Sequence, residues 1–246
     1  MRKINVLNQA RKVNLNKKFA VILVQPENPE NIGLVARNMK NTGFEELRLV
    51  HVPGINRRSH RTAVHARDIL ERAHFYPNTA EATQELELVF AATSRRRKNF
   101  PAISLKEAVI EMFRFPQPTK IGLLFGNERT GLTSKDLHSS NFRFMIPQAV
   151  RQPSYNLASA VLLTLFFIYT YGDRNKIEIT HEKPLSRKEQ EECFCLILNK
   201  LEKSKFIHKT NKRHMTEMIF DLFGRFALTS RDRKLLLALF SKAIKK

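Results

Sequence analysis

FAVILVQPENPENIGLVARNMKNTG, residues 19–43, decides how the rest of the chain folds. Its first seven residues, FAVILVQ, form an apolar run rich in β-branched side chains and bounded by Pro26 and Pro29, which predicts a short strand buried on both faces. Asn31 then opens a helical pattern as the expected N-cap. Gly43 is the expected stop, because glycine adopts the left-handed backbone that ends helices without steric cost. A buried strand feeding a helix is the repeating unit of an α/β domain.

Working outward, strand signals recur at LRLVHV (47–52), ELVFAAT (87–93) and KIGLLFG (120–126), with FRFMIP (142–147) as a shorter fifth. Helical patterns lie between them near 60–70, 79–86 and 104–114, and an apolar helix runs from 156 to about 172. This alternation predicts a mainly parallel sheet flanked by helices, in which ligands bind beyond the carboxyl ends of the strands. Polar residues gather at those ends: QPENPENIG after the first strand, ATSRRRKN after the third, GNERTG after the fourth and PQAVRQPSYN after the fifth. Four such loops converge on one edge of the sheet.

Residues 19–172 therefore read as the main domain. Residues 1–18, with six basic side chains and no acidic one, read as a mobile basic arm. Residues 173–186 are polar and turn-rich, as a linker would be. Amphipathic patterns at about 187–203, 212–223 and 230–244 predict a small α-helical extension over 187–246.

Across 246 residues, 43 Lys and Arg face 23 Asp and Glu, a net charge of +20 that points to a polyanionic partner. The excess is spread along the chain, since residues 1–172 hold 25 basic and 13 acidic side chains and residues 173–246 hold 18 and 10. Extended contact with nucleic acid fits this spread better than one nucleotide pocket. No membrane is expected: the longest apolar run, LASAVLLTLFFIYTY (157–171), falls short of the roughly 20 residues of a spanning helix and reads as a buried helix. The N-terminus lacks the apolar core of a secretory signal. Cys193 and Cys195, two apart on a predicted helix, point to different faces and are expected to be free thiols in a reducing cytoplasm. The eight histidines show no paired zinc-ligand spacing, so no metal is expected.

Individually the loops are weak signals. GNERTG is neither a Walker A loop nor a G-x-G-x-x-G fingerprint, although its glycines let backbone amides approach a ligand closely. Arg95, Arg96, Arg97 and Lys98 form a basic run suited to phosphates, and equally to a solvated surface. Asn31 as a cap, Arg37 as a surface charge, and Ser154 with Asn156 as caps of the apolar helix all have ordinary structural readings. Capping alone does not explain why so many of these groups should share one edge.

Three blocks in order, PENPENIGLVARNMKNTGF (26–44), IGLLFGNERTGL (121–132) and IPQAVRQPSYNLASAV (146–161), with AATSRRR (91–97) as a weaker fourth, resemble the SPOUT-superfamily RNA ribose 2′-O-methyltransferases. The similarity is greatest to the TrmJ branch of the TrmH-like group, and the blocks cover most of residues 19–172. The resemblance implies a SPOUT-type sheet whose C-terminal part is threaded into a trefoil knot, an exception to the rule that chains do not knot. It also implies S-adenosyl-L-methionine as cofactor, tRNA or rRNA as partner, and a homodimer whose sites draw on both chains. The implied cofactor-binding residues are Thr93, Ser94, Gly126, Asn127, Glu128, Ile146, Ser154, Asn156 and Leu157. Arg37 matches the catalytic arginine, supported by Asn31, Glu128, Ser154 and Asn156, while Arg95, Arg96, Arg97, Lys98 and Arg151 would contact RNA. A guanidinium is not expected to lose a proton, so the conservative role for Arg37 is to bind a phosphate and stabilise the developing alkoxide.

The implied target is a ribose of the tRNA anticodon loop, position 32 in the TrmJ branch. An rRNA ribose, a base methyltransferase, or a non-catalytic RNA-binding or assembly factor on the same fold are the alternatives. One departure stands in the third block, where the family more often has Ser-Leu-Asn and this chain has Ser154-Tyr155-Asn156. Pro153 just before it should hold Gln152 extended.

Overall fold

The computed structural model describes residues 18–94, 101–116, 118–149, 154–174, 181–208 and 210–242. The basic arm up to residue 17, and the expectations for Arg95, Arg96, Arg97, Lys98, Arg151 and Pro153, lie outside them. Among the described residues seven strands form one sheet: β1 (Phe19–Val24), β2 (Glu46–Val50), β3 (His74–Tyr76), β4 (Leu88–Ala92), β5 (Ile103–Ser104), β6 (Ile121–Phe125) and β7 (Phe142–Met145). Their order is β3-β2-β1-β6-β4-β7-β5, and every pairing is parallel. The five expected strands are β1, β2, β4, β6 and β7. The two that the sequence concealed are the sheet's edges, and at three and two residues they are too short to show a period.

β1 is buried along its whole length because both sheet faces are covered. Phe19, Val21 and Leu23 join one apolar cluster with Ile32, Val35 and Met39, while Ala20, Ile22 and Val24 join another with Leu86, Val89 and Leu124. Period-two geometry thus sends alternate residues of one apolar run into two cores. Arg48 of β2 is fully buried as well, its guanidinium held by Glu46, Glu85 and the carbonyl of Ala82.

Helix α1 (Pro29–Thr42) ends at Gly43, which has φ 82° and donates its N–H to the last turn. Its cap, however, is Asn28 and not Asn31. Pro29 occupies the first turn, where no N–H is needed, and the Asn28 side chain accepts from Glu30 N at 3.0 Å. Asn31 therefore lies inside the helix, buried and available for another task. The helical pattern near 60–70 is two short helices, α2 (Arg57–Ala63) and α3 (Arg67–Glu71), broken where Val64 takes φ 53°. After α4 (Thr79–Thr83), α5 (Leu105–Arg114) starts with a Ser104–Glu107 capping box, and α6 (Ser134–His138) precedes β7.

The apolar helix α7 (Leu157–Arg174) is buried along one side only. Leu157, Val161, Leu165 and Ile168 enter the core, whereas Leu162, Leu163, Phe166 and Phe167 face solvent, Phe166 with 54% of its surface exposed. A helix apolar all round needs cover on every side, and one chain supplies it on one side only.

The extension comprises α8 (Arg187–Lys203), α9 (Lys212–Gly224) and α10 (Ser230–Lys242). Phe194 of α8 stacks on Phe223 and meets Phe220 edge-on, with ring centroids 5.5 and 5.7 Å apart. Arg187, almost fully buried, locks the extension to the sheet domain through bonds from its N–H to Leu86 O (2.8 Å) and from Nη2 to His138 O (3.0 Å). Residues 181–186, read as linker, are ordered against both parts: His181 N donates to Arg114 O and Leu185 N to Leu228 O. Lys18, assigned to the arm, is also part of the fold. Its Nζ donates to Met112 O and Phe115 O at the end of α5, and burial lowers its pKa to about 8.

Candidate active site

At the carboxyl ends of β1, β6 and β7, three segments far apart in sequence are tied together. Gln25, with φ 50°, ends β1 and presents its carbonyl to Asn127 Nδ2 at 2.8 Å. Asn127 Oδ1 in turn accepts from Arg129 N and Thr130 N, which closes the turn after β6. That turn is possible because Gly131 sits at φ 70° and Gly126 has no side chain: a Cβ there would lie 2.4 Å from Gly131 C and Leu132 N. The glycines of GNERTG therefore serve to fold the loop tightly upon itself.

Glu128 is the knot of hydrogen bonds. Its carboxylate accepts from Glu27 N (2.8 Å), Asn28 N (3.2 Å) and Asn31 Nδ2 (2.6 Å), so it gathers the exposed amides at the start of α1. Burial alone would raise its pKa. The bonds from Asn31 and the backbone outweigh that and hold the carboxyl below the usual carboxylate range. Asn31 spends its other end on Asn156, whose Nδ2 donates to Asn31 Oδ1 at 3.1 Å, while Asn156 Oδ1 caps α7 through Ala158 N at 2.9 Å. The chain Glu128–Asn31–Asn156 links all three sequence blocks.

Beside it lies a cavity of about 320 Å³. Thr93, Ser94, Gly126, Asn127, Glu128, Ile146, Ser154 and Leu157 line it, with apolar surface from Leu132 and Ala160 and polar groups at the mouth. Concave, partly apolar space of this size with a few placed polar groups is what a small-molecule site requires. Asn156 is not among the lining residues; its amide is shared between Asn31 and the helix cap, a supporting position. Asn31 has the same supporting position.

Arg37 is not among the residues lining the cavity. Its side chain lies exposed on α1 and makes no hydrogen bond among the described residues. Its helix runs beside α7, with Asn38 Nδ2 donating to Ala158 O at 2.9 Å. Arg37 thus belongs to the helix that packs against α7.

The structure adds lining residues that sequence reasoning passed over. Arg129, Thr130 and Gln148 belong to the quoted blocks, so their placement was available from the loop boundaries alone. Tyr155 also lines the cavity, 40% exposed, and its hydroxyl donates to Pro147 O at 3.1 Å. The bulk that departs from Ser-Leu-Asn is thus accommodated at the rim, where it ties the two ends of the 147–155 loop.

The SpoU rRNA methylase family model matches residues 18–166, which takes in the sheet, the Glu128 network and the cavity. The chain belongs to the SpoU rRNA methylase family. Among SpoU-type relatives, it is 33% identical over 212 residues to the tRNA (cytidine-2′-O-)-methyltransferase TrmJ of Methanocaldococcus jannaschii, covering 84% of this chain and 90% of that one. It is 26% identical over 247 residues to the tRNA (cytidine/uridine/adenosine-2′-O-)-methyltransferase TrmJ of Pseudomonas aeruginosa, covering 93% and 94%. The crystal structure of TrmJ from Z. mobilis superposes with a TM-score of 0.76 at 28% identity, covering 92% of this chain and 99% of that one. The SpoU match ends within α7, whereas these likenesses extend over the helical extension too.

Proposed function

We propose that this SpoU-family enzyme transfers a methyl group from S-adenosyl-L-methionine to a ribose 2′-hydroxyl of tRNA, in the anticodon loop, acting as a homodimer in the cytoplasm. The observation that carries the reading is the Glu128–Asn31–Asn156 chain, which brings three blocks together beside a cavity beyond the strand ends. The curated relatives named as tRNA 2′-O-methyltransferases, aligned over most of their length, support the substrate. Among the described residues no helix is long and apolar enough to cross a membrane. The interleaved strand order, with β6 returning between β1 and β4, supports the trefoil threading that belongs to this reading.

The residues present fit the cofactor. Backbone groups of the tight Gly126–Leu132 turn and the apolar faces of Leu132, Ile146 and Leu157 suit an adenine ring, and Ser154 and Gln148 supply polar contacts. When bound, the cofactor supplies an electrophilic methyl group, so the protein's task is to align a ribose oxygen with it and ease the loss of its proton. Glu128 is already saturated with donors and acts by fixing both loops rather than by taking that proton. Arg37, a permanent cation, binds a phosphate of the RNA and stabilises charge growing on the ribose oxygen.

Arg37 reaches a cavity by dimerisation. Leu162, Leu163, Phe166 and Phe167 are an exposed apolar face of α7, the helix that packs on α1 through Asn38 and Ala158, and a self-complementary contact over that face would carry Arg37 of one copy toward the site of the other. Nucleoside mass spectrometry of tRNA and rRNA incubated with the protein and cofactor tests the proposal. A 2′-O-methylated nucleoside in tRNA is expected. A methylated base, methylation of rRNA alone, or RNA binding without cofactor affinity would replace it with one of the alternatives.

A further inference from the structure

A second cavity, of about 540 Å³, opens at the other end of the sheet domain. Phe142, the first residue of β7, lines it, whereas Met145 at the far end of the same strand lines the first cavity. Three residue steps along the strand separate these two side-chain positions by about 10 Å. The other walls are the last turn of α5 with Phe115, the segment bearing His181 and Glu182, the turn between α9 and α10 with Phe226, and the first turn of α10 with Arg231.

The lining is aromatic on several sides. Phe142 is backed by Phe90, with ring centroids 4.6 Å apart and planes 14° apart, and Phe115 packs on the His181 ring at 4.7 Å. Phe226 is a further aromatic of the lining, 51% exposed. The walls are tied before any ligand arrives: His181 N donates to Arg114 O, Leu185 N to Leu228 O, and Asn141 Nδ2 to Phe226 O at 3.1 Å. Such preorganisation lowers the cost of binding.

Three of the charges in the lining are already engaged, two by ion pairs and one by neutral hydrogen-bond donors. Glu111 is engaged by Arg114 and His181, Asp232 by the Thr229 N–H and hydroxyl, and Arg225 by Asp221. Glu182 and Arg231 are exposed and carry no ion pair among the described residues. A neutral flat ring with a hydrogen-bonding edge suits this surface better than an ion does. Aromatic side chains stack unpaired bases regardless of sequence, a carboxylate accepts from an exocyclic amino group, and an arginine at the rim meets the adjoining phosphate.

We infer that this cavity receives an unstacked, amino-bearing nucleobase of the RNA substrate, stacked against Phe226, with Glu182 on its edge and Arg231 on the flanking phosphate. The site lies outside the methyl-transfer cavity and rests on the reading of the partner as RNA. It would give the helical extension a defined contact with the substrate.

The test is filter binding of bulk tRNA to the full-length protein across a salt series, with calorimetry of S-adenosyl-L-methionine alongside. Phe226→Ala should weaken tRNA binding about tenfold, on the scale of one lost base–aromatic stack, and Phe226→Tyr should restore it. Arg231→Gln should lower the salt dependence by about one phosphate contact. Cofactor affinity should be the same in all three. Equal tRNA affinity in Phe226→Ala and the parent overturns the inference, as does CMP or AMP binding lost in Phe226→Ala while tRNA affinity is unchanged, which would mark a free-nucleotide site. A parent that binds tRNA in a Phe226-dependent way yet transfers no methyl group sinks the proposed activity and leaves this site standing.

Discussion

Asn31 Nδ2 and Glu128 Oε1 are 2.6 Å apart, although 97 positions separate them in the chain. This bond, with the two backbone bonds to the same carboxylate, fastens the start of α1 to the turn after β6. It turns two ordinary loops into one wall of a cavity.

Glu128→Gln should damage that wall without emptying the core. An amide nitrogen set against the N–H groups of Glu27 and Asn28 or the Asn31 amide leaves donors facing donors, at a cost of about 1–3 kcal/mol. Because the folded carboxyl titrates below its ordinary value of 4.5, its contribution is complete above that pH and fades as the pH falls through the folded value. Urea midpoints should therefore differ between parent and variant at pH 7 and converge in acid. Equal midpoints at pH 7 would mean the bonds carry no net stability.

Gly126→Ala should remove cofactor binding. The added methyl group would overlap the backbone at Gly131 and Leu132, 2.4 Å away, and backbone cannot step aside as a flexible side chain can. Calorimetry should show at least a tenfold loss of S-adenosyl-L-methionine affinity, consistent with more than about 1.4 kcal/mol of loop rearrangement. Unchanged affinity would place the adenine elsewhere.

Arg37→Ala should keep cofactor affinity and lose transfer, since Arg37 is exposed and stands outside its own chain's cavity. Mixing Arg37→Ala with Gly126→Ala should recover part of the activity, because a mixed dimer has one site with an intact cavity served by the other chain's arginine. Phe166→Asp should sediment as a folded monomer without transfer. An active monomer would remove the shared-site model.

Lys18→Met tests a buried cation. The unfolded chain binds the Lys18 proton below about pH 10.5 and the folded chain only below about 8, so the unfolded state holds more protons between these values. Stability of the parent should rise with pH across that window by up to about 3 kcal/mol from this group. The rise should be missing in Lys18→Met, measured as the difference in urea midpoint between pH 7.5 and 10. Parallel pH profiles would show that the bonds to Met112 O and Phe115 O keep the ammonium charged.

Much of the sheet was legible because strands buried on both faces are continuous apolar runs, as in β1, β4 and β6, and because Gly43 ends α1 by local backbone preference. The three extension helices were legible from their periodicity for the same local reason. β3 and β5 were not, since two or three residues acquire strand character only from a neighbour to pair with. Asn31 looked like a cap because a short polar side chain before an apolar pattern usually is one. Pro29 and Asn28 had already filled that role, which left Asn31 for Glu128 and Asn156.

The chain by itself determined the five longer strands, the extension helices and where glycine must stand, because these follow from local sterics and apolar patterning. Only the tertiary structure decided that Lys18 is buried, that α7 keeps an apolar face in solvent, and that Arg37 lies outside its own cavity. Those outcomes depend on which surfaces meet, and hydrogen bonds between residues a hundred positions apart leave no periodic trace in a sequence.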